Sequence, residues 1–436
     1  MNASKESVKG TPGEVTAKGL HELLTGNAVI GQAGGPTAVI NQSLVGVIES
    51  LRFGLHACGR VKKIYGMRHG VKGFVKGDLV DMTNMHQDHL DRLAATPSAC
   101  LGSTRDKPDE AYCERILEAC KKHDIRYFFY IGGNDSSDTC RIVRDKAQQA
   151  GYELRCFHVP KTVDNDLMEN DHCPGFPSAA RYVALACMAD FLDNVSLPGI
   201  KINVVMGRHA GFLTGASALA RRHDWEEPLE STDGPQLIYL PEVPFDLDRF
   251  VADVDKVYSK KGRCHIAMSE GVVDEKGNSI GAKLIKNAQT DSHGNVQLSG
   301  SGSLGDSLGD LLKEKLTPTG GKAPRVRADT FGYAQRCWPD PSVIDQREAR
   351  RVGRHAAAAA MRGELSGSVT ITRCAGHSGA RGESYMTDFG LVKLEMVAGK
   401  TRLMPKDFIS GHHNVSRKFV EYCLPLVGEL PTFERL

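Results

Sequence analysis

Residues 127–166 constrain the fold more than any other stretch. They spell a strand, a Gly-Gly turn, a helix, a second strand and an acid-rich turn without a break. Tyr127-Phe-Phe-Tyr-Ile131 is short, aromatic and β-branched, and it stops at Gly132-Gly133, the pattern of a buried strand. Asn134, Asp135, Ser136, Ser137 and Asp138 follow, residue types that open helices. A strand feeding a glycine turn and a helix start is suited to phosphate, because backbone approaches the ligand and unpaired N–H groups face it. The next strand, Cys156-Phe-His-Val159, delivers Lys161, Thr162, Asp164 and Asp166 in the turn PKTVDND. A cation, a hydroxyl and two carboxylates at one strand end are the groups that phosphoryl transfer uses. Alone, the Asp164–Asp166 turn would read equally well as a helix cap.

The same alternation runs through the chain. Asn27-Ala-Val-Ile30 predicts a strand, and GQAGGPTAVIN a glycine turn with Gly34, Gly35 and Pro36 leading into a helix opened by Thr37 or Asn41. Val61–Met67 reads as a strand, RHGVKGF as loop, and Asp109–His123 as a helix preceded by LGSTR, whose Arg105 by itself would be a solvated charge. Phe176–Val195 is helical, with a core-facing stripe. Ile200–Met206 is a strand entering a third glycine-rich junction, and His265–Ser269 ends in Glu270-Gly271. Strand and helix in alternation predict an α/β protein with parallel sheets, whose ligands gather at the strand carboxyl ends. Lys161, Asp164, Arg208 and Glu270 all fall there. Residues 288–325, rich in Gly, Ser and Pro around the amphipathic piece Leu304–Leu316, read as a surface insertion with mobile ends. Asp345–Arg362 is the clearest helix, stopped by Gly363, with Arg347, Arg350, Arg351 and Arg354 expected on a solvated face.

Composition excludes several classes. The chain has 436 residues and a formal charge of +2, so no global field favours nucleic acid or membrane, and no apolar run reaches a membrane span. Residues 1–24 lack the apolar core of a signal peptide and are expected to be a mobile leader. Twelve cysteines with no CxxC pair read as the reduced thiols of a cytoplasmic protein. The sixteen histidines contain no HExxH, and the adjacent His412 and His413 would point apart on a helix, which argues against structural zinc.

Taken in order, PKTVDND, MGRHAGF, SEG and GYAQR resemble the 6-phosphofructokinase family, from about Asn27 to Gly363. The resemblance implies two Rossmann-like parallel-sheet domains with the active site in the cleft between them. It implies a phosphoryl-donor domain of residues 25–175 plus 337–390, and a sugar-phosphate domain of 176–336 plus 391–436. Within the family two positions look like the pyrophosphate-dependent branch. The ATP branch has GGDGS where this chain has Gly132-Gly-Asn-Asp-Ser136, and a glycine where this chain has Lys161. Asp135 would remove space and add like charge on the path of an ATP α-phosphate, and Lys161 would supply a cation to a compact donor.

The resemblance assigns Asp164 as the base for the sugar 1-hydroxyl, beside Thr162 and Asp166, and Arg105 as the group meeting the transferred phosphoryl. Gly34, Gly35, Gly133, Asn134, Asp135 and Lys161 would hold the donor. Met206, Gly207, Arg208, Glu270, Arg327, Tyr333 and Arg336, with Thr162 and Asp164, would hold fructose 6-phosphate. Mg2+ would sit at Asn134 and Asp135, although the family's acid is the amide Asn134 here and a weaker ligand for a hard cation. The implied activity is reversible phosphoryl transfer from pyrophosphate to the 1-hydroxyl of fructose 6-phosphate, in glycolysis and gluconeogenesis. A homodimer or homotetramer is the family precedent, and no set of residues for an allosteric nucleotide is recognisable. An arginine that the ATP enzymes lend across a subunit interface is absent, with Gly199 and Lys201 in its place. The alternatives are an ATP-dependent or sedoheptulose 7-phosphate kinase of the same fold, and a non-catalytic regulatory subunit.

Overall fold

The computed structural model describes residues 24–433 other than 55, 56, 58, 222–232, 285–301 and 381. Most of the expected leader and residues 288–301 of the expected insertion therefore lie outside the described residues. The chain builds two sheets and crosses between them. Its first pass runs β1 (Gly26–Gln32), α1 (Ile40–Phe53), β2 (Val61–Met67), α2 (Gly70–Lys76), β3 (Leu79–Asp81), α3 (Gln87–Ala94), α4 (Glu110–Lys122), β4 (Ile125–Gly132), α5 (Asn134–Gln149) and β5 (Arg155–Pro160). Helix α6 (Phe176–Ser196) leads to the second sheet. There follow β6 (Ile200–Val205), α7 (Phe212–Ala216), β7 (Leu237–Tyr239), α8 (Leu247–Lys261), β8 (Cys264–Ser269), α9 (Ile280–Leu284), α10 (Ser303–Leu316) and β9 (Val326–Thr330). The chain then returns through α11 (Val343–Arg362), β10 (Ser366–Ser378), β11 (Tyr385–Val392) and α12 (Leu394–Val397). It ends on the second lobe with β12 (Ile409–Ser410), β13 (Asn414–Val415) and α13 (Arg417–Val427).

The larger sheet has the order β11-β10-β5-β4-β1-β2-β3 and the smaller β7-β8-β6-β9. The four smaller-sheet strands are parallel, as are the five inner strands of the larger sheet; β3 and β11 close its edges antiparallel. The inner strands β4, β5, β6 and β8 are buried along their whole length or nearly so, which is why they read as continuous apolar runs. Helix starts follow local chemistry. Asp109 caps α4 and Asp246 caps α8, while Gly262 and Gly363, at φ 67° and 108°, end α8 and α11. Helix α6 has no cap of its own. Asp345 supplies it from a remote part of the chain, accepting from the N–H groups of Gly175 at 2.9 Å and Ser178 at 3.1 Å.

Several expectations change. The piece Leu304–Leu316 is not surface: it is α10, and its Leu304, Leu308 and Leu312 are buried against the second sheet with Val204 and Ile202. The apolar stripe, rather than the flanking Gly and Ser, decides its place. RHGVKGF holds the short helix α2 rather than a loop. On α11, Arg347, Arg351 and Arg354 are exposed as expected while Arg350 is largely covered, and Arg350 and Arg354 both hydrogen-bond Glu49 of α1. Against the upward push of burial, they hold the Glu49 pKa at about 2. The two helices approach so closely that a Cβ on Gly46 or Gly353 would lie 2.1 Å from the carbonyl of Arg350 or Ser43. Beyond Gly390 the chain stays with the first sheet for a turn more than the expected boundary. Leu394 is buried in that sheet's core with Val143, and Glu395 pairs with Arg144 at 2.5 Å.

Candidate active site

The carboxyl ends of β1, β4 and β5 bring three segments together. The loop after β1 carries Gly34 (φ 75°) and Gly35. It is tied to the loop before α4: the Gly34 N–H donates to the Thr104 carbonyl at 2.9 Å, and the Ser103 hydroxyl to the Gly34 carbonyl at 2.6 Å. Helix α5 starts at Gly133 with no side chain capping it, so its first N–H groups remain for a ligand. Lys161 follows β5 and is 3% exposed, its ammonium donating to the Gly35 carbonyl at 2.8 Å. A Cβ on Gly34 would sit 3.1 Å from that ammonium, and one on Gly35 would sit 3.0 Å from the Arg336 guanidinium. The positive φ of Gly34 favours glycine there, and at both positions an added side chain would press on a site cation.

The turn after Lys161 is fixed by its own hydroxyls and amides. Thr162 Oγ1 accepts from the Asp164 N–H at 3.1 Å and donates to Asp166 Oδ1 at 3.0 Å. Asn134 Nδ2 donates to Asp166 Oδ2 at 3.3 Å. Between the two carboxylates Asn165 turns inward at φ 59°. Its amide nitrogen donates to the Tyr422 hydroxyl at 2.9 Å, and its oxygen accepts from the Cys173 N–H at 2.9 Å. Asp164 Oδ1 and Asn134 Oδ1 are both shielded from solvent and have no hydrogen-bond partner.

Burial sets the electrostatics. Asp164 is pushed up to about 7, first by burial and then by Asp166 and Glu270, with Arg336 and Lys161 opposing. Asp166 is pushed up mainly by burial, and its bond from Thr162 works against that. Lys161 is brought down to about 7 by burial and the Arg336 charge, against the pull of both carboxylates. The Arg105 charge also depresses both Lys161 and Arg336. A carboxylate and an ammonium that both titrate near neutrality lie in one place, the arrangement that proton transfer and charge neutralisation require.

The second sheet supplies the opposite wall. Met206, Gly207 and Arg208 continue β6, and Glu270, 4% exposed, ends β8. Ser269 Oγ donates to the Gly207 carbonyl at 2.7 Å and fixes Gly207 at φ 127°. Gln335 accepts from the Met206 N–H at 3.2 Å. Tyr333 and Arg336 lie on the single helical turn after β9, with the guanidinium 4.6 Å from the Tyr333 ring centroid.

Two expected residues stand apart. Arg327 is the second residue of β9, paired in register with Lys201 at the amino end of the sheet, and it binds Asp193 at 2.5 Å. Within this chain it is at the wrong end of the strand for the site. Asp135 is exposed and its Oδ1 is ion-paired with Lys107 at 3.1 Å, while Asn134 keeps a buried oxygen without a hydrogen bond. Residues missed in the sequence are Lys107, Ser103, Gln335, Asn165 and Tyr422. Ser103 lies within LGSTR and Lys107 just after it, Asn165 within PKTVDND and Gln335 within GYAQR, so these could have been suspected; Tyr422 acts through a contact with no short-range signal.

This geometry is that of the two-lobed α/β phosphotransferases, in which one lobe cradles an oxyanion on backbone and cations and the other closes on an acceptor. Comparison with known proteins narrows it. Residues 27–360 match the phosphofructokinase family, and the chain belongs to that family. It is 51% identical over 418 residues to the pyrophosphate--fructose 6-phosphate 1-phosphotransferase of Rhodospirillum rubrum, covering 95% of this chain and 97% of that one. The enzyme of the same name from Halomonas elongata is 35% identical, with 94% of each chain covered. Among solved structures, the pyrophosphate-dependent phosphofructokinase from Nitrosospira multiformis superposes with a TM-score of 0.78 at 33% identity, covering 94% of each chain.

Proposed function

We propose that the protein transfers a phosphoryl group reversibly from pyrophosphate to the 1-hydroxyl of fructose 6-phosphate, giving fructose 1,6-bisphosphate and phosphate. The observation that carries this is Lys161, a buried ammonium seated on the Gly35 carbonyl with Asp164 nearby at a pKa of about 7. The names of the relatives support the same donor and acceptor. Asp164 takes the proton of the 1-hydroxyl as its oxygen attacks phosphorus. Lys161, Arg105 and the Gly35 N–H take up charge on the transferred and leaving phosphates, with Gly34 tying their loop to Thr104. Glu270 and Arg208 orient the sugar, with Met206 and Gly207 beside it, and Arg336 spans from the Gly35 loop toward it. Asp135, with Lys107, narrows the donor side against a nucleotide.

The buried Asn134 oxygen left without a hydrogen bond and the adjacent Asp135 carboxylate suit a divalent cation, and we assign magnesium to them; it would neutralise pyrophosphate charge. A single amide and a shared carboxylate make it a site completed by the donor's own oxygens. Arg327, at the far end of its sheet, fits a role toward a second copy in a homodimer or homotetramer. Among the described residues no helix is long and apolar enough to cross a membrane, and a cytoplasmic location goes with the free cysteines. The test is a coupled assay offering pyrophosphate or ATP with fructose 6-phosphate or sedoheptulose 7-phosphate. Turnover with pyrophosphate and fructose 6-phosphate far above the other pairs is expected. ATP as the better donor would refute the reading.

A further inference from the structure

The two adjacent histidines of the sequence do not lie on a helix. They form the turn of the β12–β13 hairpin, where Gly411, at φ 61°, folds the backbone so that both rings leave on one side. Their centroids are 4.2 Å apart with the planes at 68°. Facing them from α8 is Asp253, and one ligand atom from each of Asp253, His412 and His413 lies within 4.8 Å of the others.

We propose that Asp253, His412 and His413 bind a divalent transition ion of the zinc class, fastening the hairpin to α8. Two imidazoles and one carboxylate suit zinc, cobalt or nickel and are poor for magnesium, which prefers oxygen ligands, so the site is distinct from the candidate active site in position and in chemistry. Three features support it. His413 Nδ1 is shielded from solvent and has no hydrogen-bond partner, an unusual state for a buried ring nitrogen. Asp253 is already oriented, its Oδ2 accepting from the Tyr239 hydroxyl at 3.1 Å. The His413 carbonyl accepts from the Ile238 N–H at 2.9 Å, which anchors the hairpin to the second sheet.

The contacts of His412 define what must change on binding. Its Nε2 lies 2.7 Å from Asp253 Oδ2, and its Nδ1 lies 2.8 Å from the Arg249 guanidinium. Arg249 can only donate, so it holds the ring with its proton on Nε2; an ion at Nε2 displaces that proton, Nδ1 takes up a proton instead, and Arg249, which is exposed, must then release the ring. A cavity of about 530 Å³ lined by Arg249, His412, Asp246 and Asp274 adjoins the cluster and gives the ion and its remaining water ligands a path from solvent.

The test uses the full-length protein stripped with chelator and titrated with Co2+, which reports ligand geometry by its visible absorption, with stoichiometry from equilibrium dialysis. One ion per chain and a spectrum without sulfur-to-cobalt charge transfer are expected. His413→Ala and Asp253→Asn should each weaken binding at least about tenfold, with pyrophosphate-dependent activity retained as the check on folding. Arg249→Gln should tighten binding by removing the competitor for His412; unchanged affinity would overturn that role. Absence of stoichiometric cobalt, a thiolate spectrum, or equal affinity in His413→Ala would overturn the site.

Discussion

Replacing Asp164 by Asn removes a charge from the candidate site while keeping shape and volume. The wild-type carboxyl, pushed to about 7, is close to half ionised at pH 7 and about one-tenth ionised at pH 6. If it accepts the proton of the sugar hydroxyl, the forward rate with pyrophosphate falls about fivefold from pH 7 to pH 6 and about tenfold per pH unit below that. An ordinary aspartate would hold the rate level to about pH 4. The amide cannot accept the proton, so kcat is expected to fall by about 10²–10⁴-fold, the usual worth of a positioned base. That corresponds to about 3–5 kcal/mol of transition-state stabilisation. The acidic limb should vanish with it. Binding of fructose 6-phosphate should change little, because Glu270 and the arginines are untouched. Burial of the charged form opposes folding when Asp164 is ionised, so the variant should also melt higher than wild type above pH 7. The assay is a coupled measurement of kcat and KM from pH 5.5 to 8.5, with calorimetric binding of the sugar phosphate and a thermal melt. Wild-type turnover in the variant, or a wild-type profile flat to pH 5, would refute the assignment of the base.

Asp135→Gly, which also frees Lys107, should raise the ratio of kcat/KM for ATP to that for pyrophosphate while leaving ATP the poorer donor. A like charge near 4 Å costs about 4 kcal/mol at an effective dielectric of 20, and an unchanged ratio would place donor choice in the Gly31–Pro36 loop. Gly353→Ala should destabilise the fold by about 1–3 kcal/mol in denaturant melts, because its Cβ would meet the Ser43 carbonyl at 2.1 Å and α1 cannot yield without moving Gly46 off Arg350. His172, buried between Asp171 and Glu348, has its pKa raised to about 9: burial pushes it down, and the two carboxylates outweigh that push. Its stabilising contribution is complete below about 6.5 and is lost as pH rises through 9. Thermal midpoints should therefore fall over that window, and His172→Gln should flatten the fall.

Much of the fold was legible because each inner strand is buried on both faces and announces itself as an unbroken apolar run ended by glycine. The helices came with their caps: Asp109, Asp246 and Gly363 act locally, and local chemistry is what a sequence displays. The order of the site segments was legible for the same reason, since Lys161, Thr162, Asp164 and Asp166 are neighbours in one turn. Strands β10 and β11 carry no such signal, because Ser366–Ser378 and Tyr385–Val392 mix polar and apolar residues at a half-solvated edge of the sheet.

What the tertiary structure alone decided concerns environment and distance. The sequence names Asp164 and Lys161 but not that burial brings both to about 7. It names Arg327 beside Arg336, yet strand direction sends one to the amino end of the sheet and the other to the carboxyl end. The arginines of α11 read as a solvated face, and only the fold shows that Glu49, about three hundred residues away in sequence, lies between Arg350 and Arg354 as their common partner. On a helix the rings of His412 and His413 would diverge, and a glycine at positive φ brings them together instead. The division has one physical cause. Secondary structure and motif order depend on interactions among near neighbours in the chain, whereas pKa, pairing and access depend on desolvation and on charges delivered by remote segments, which exist only once the chain has folded.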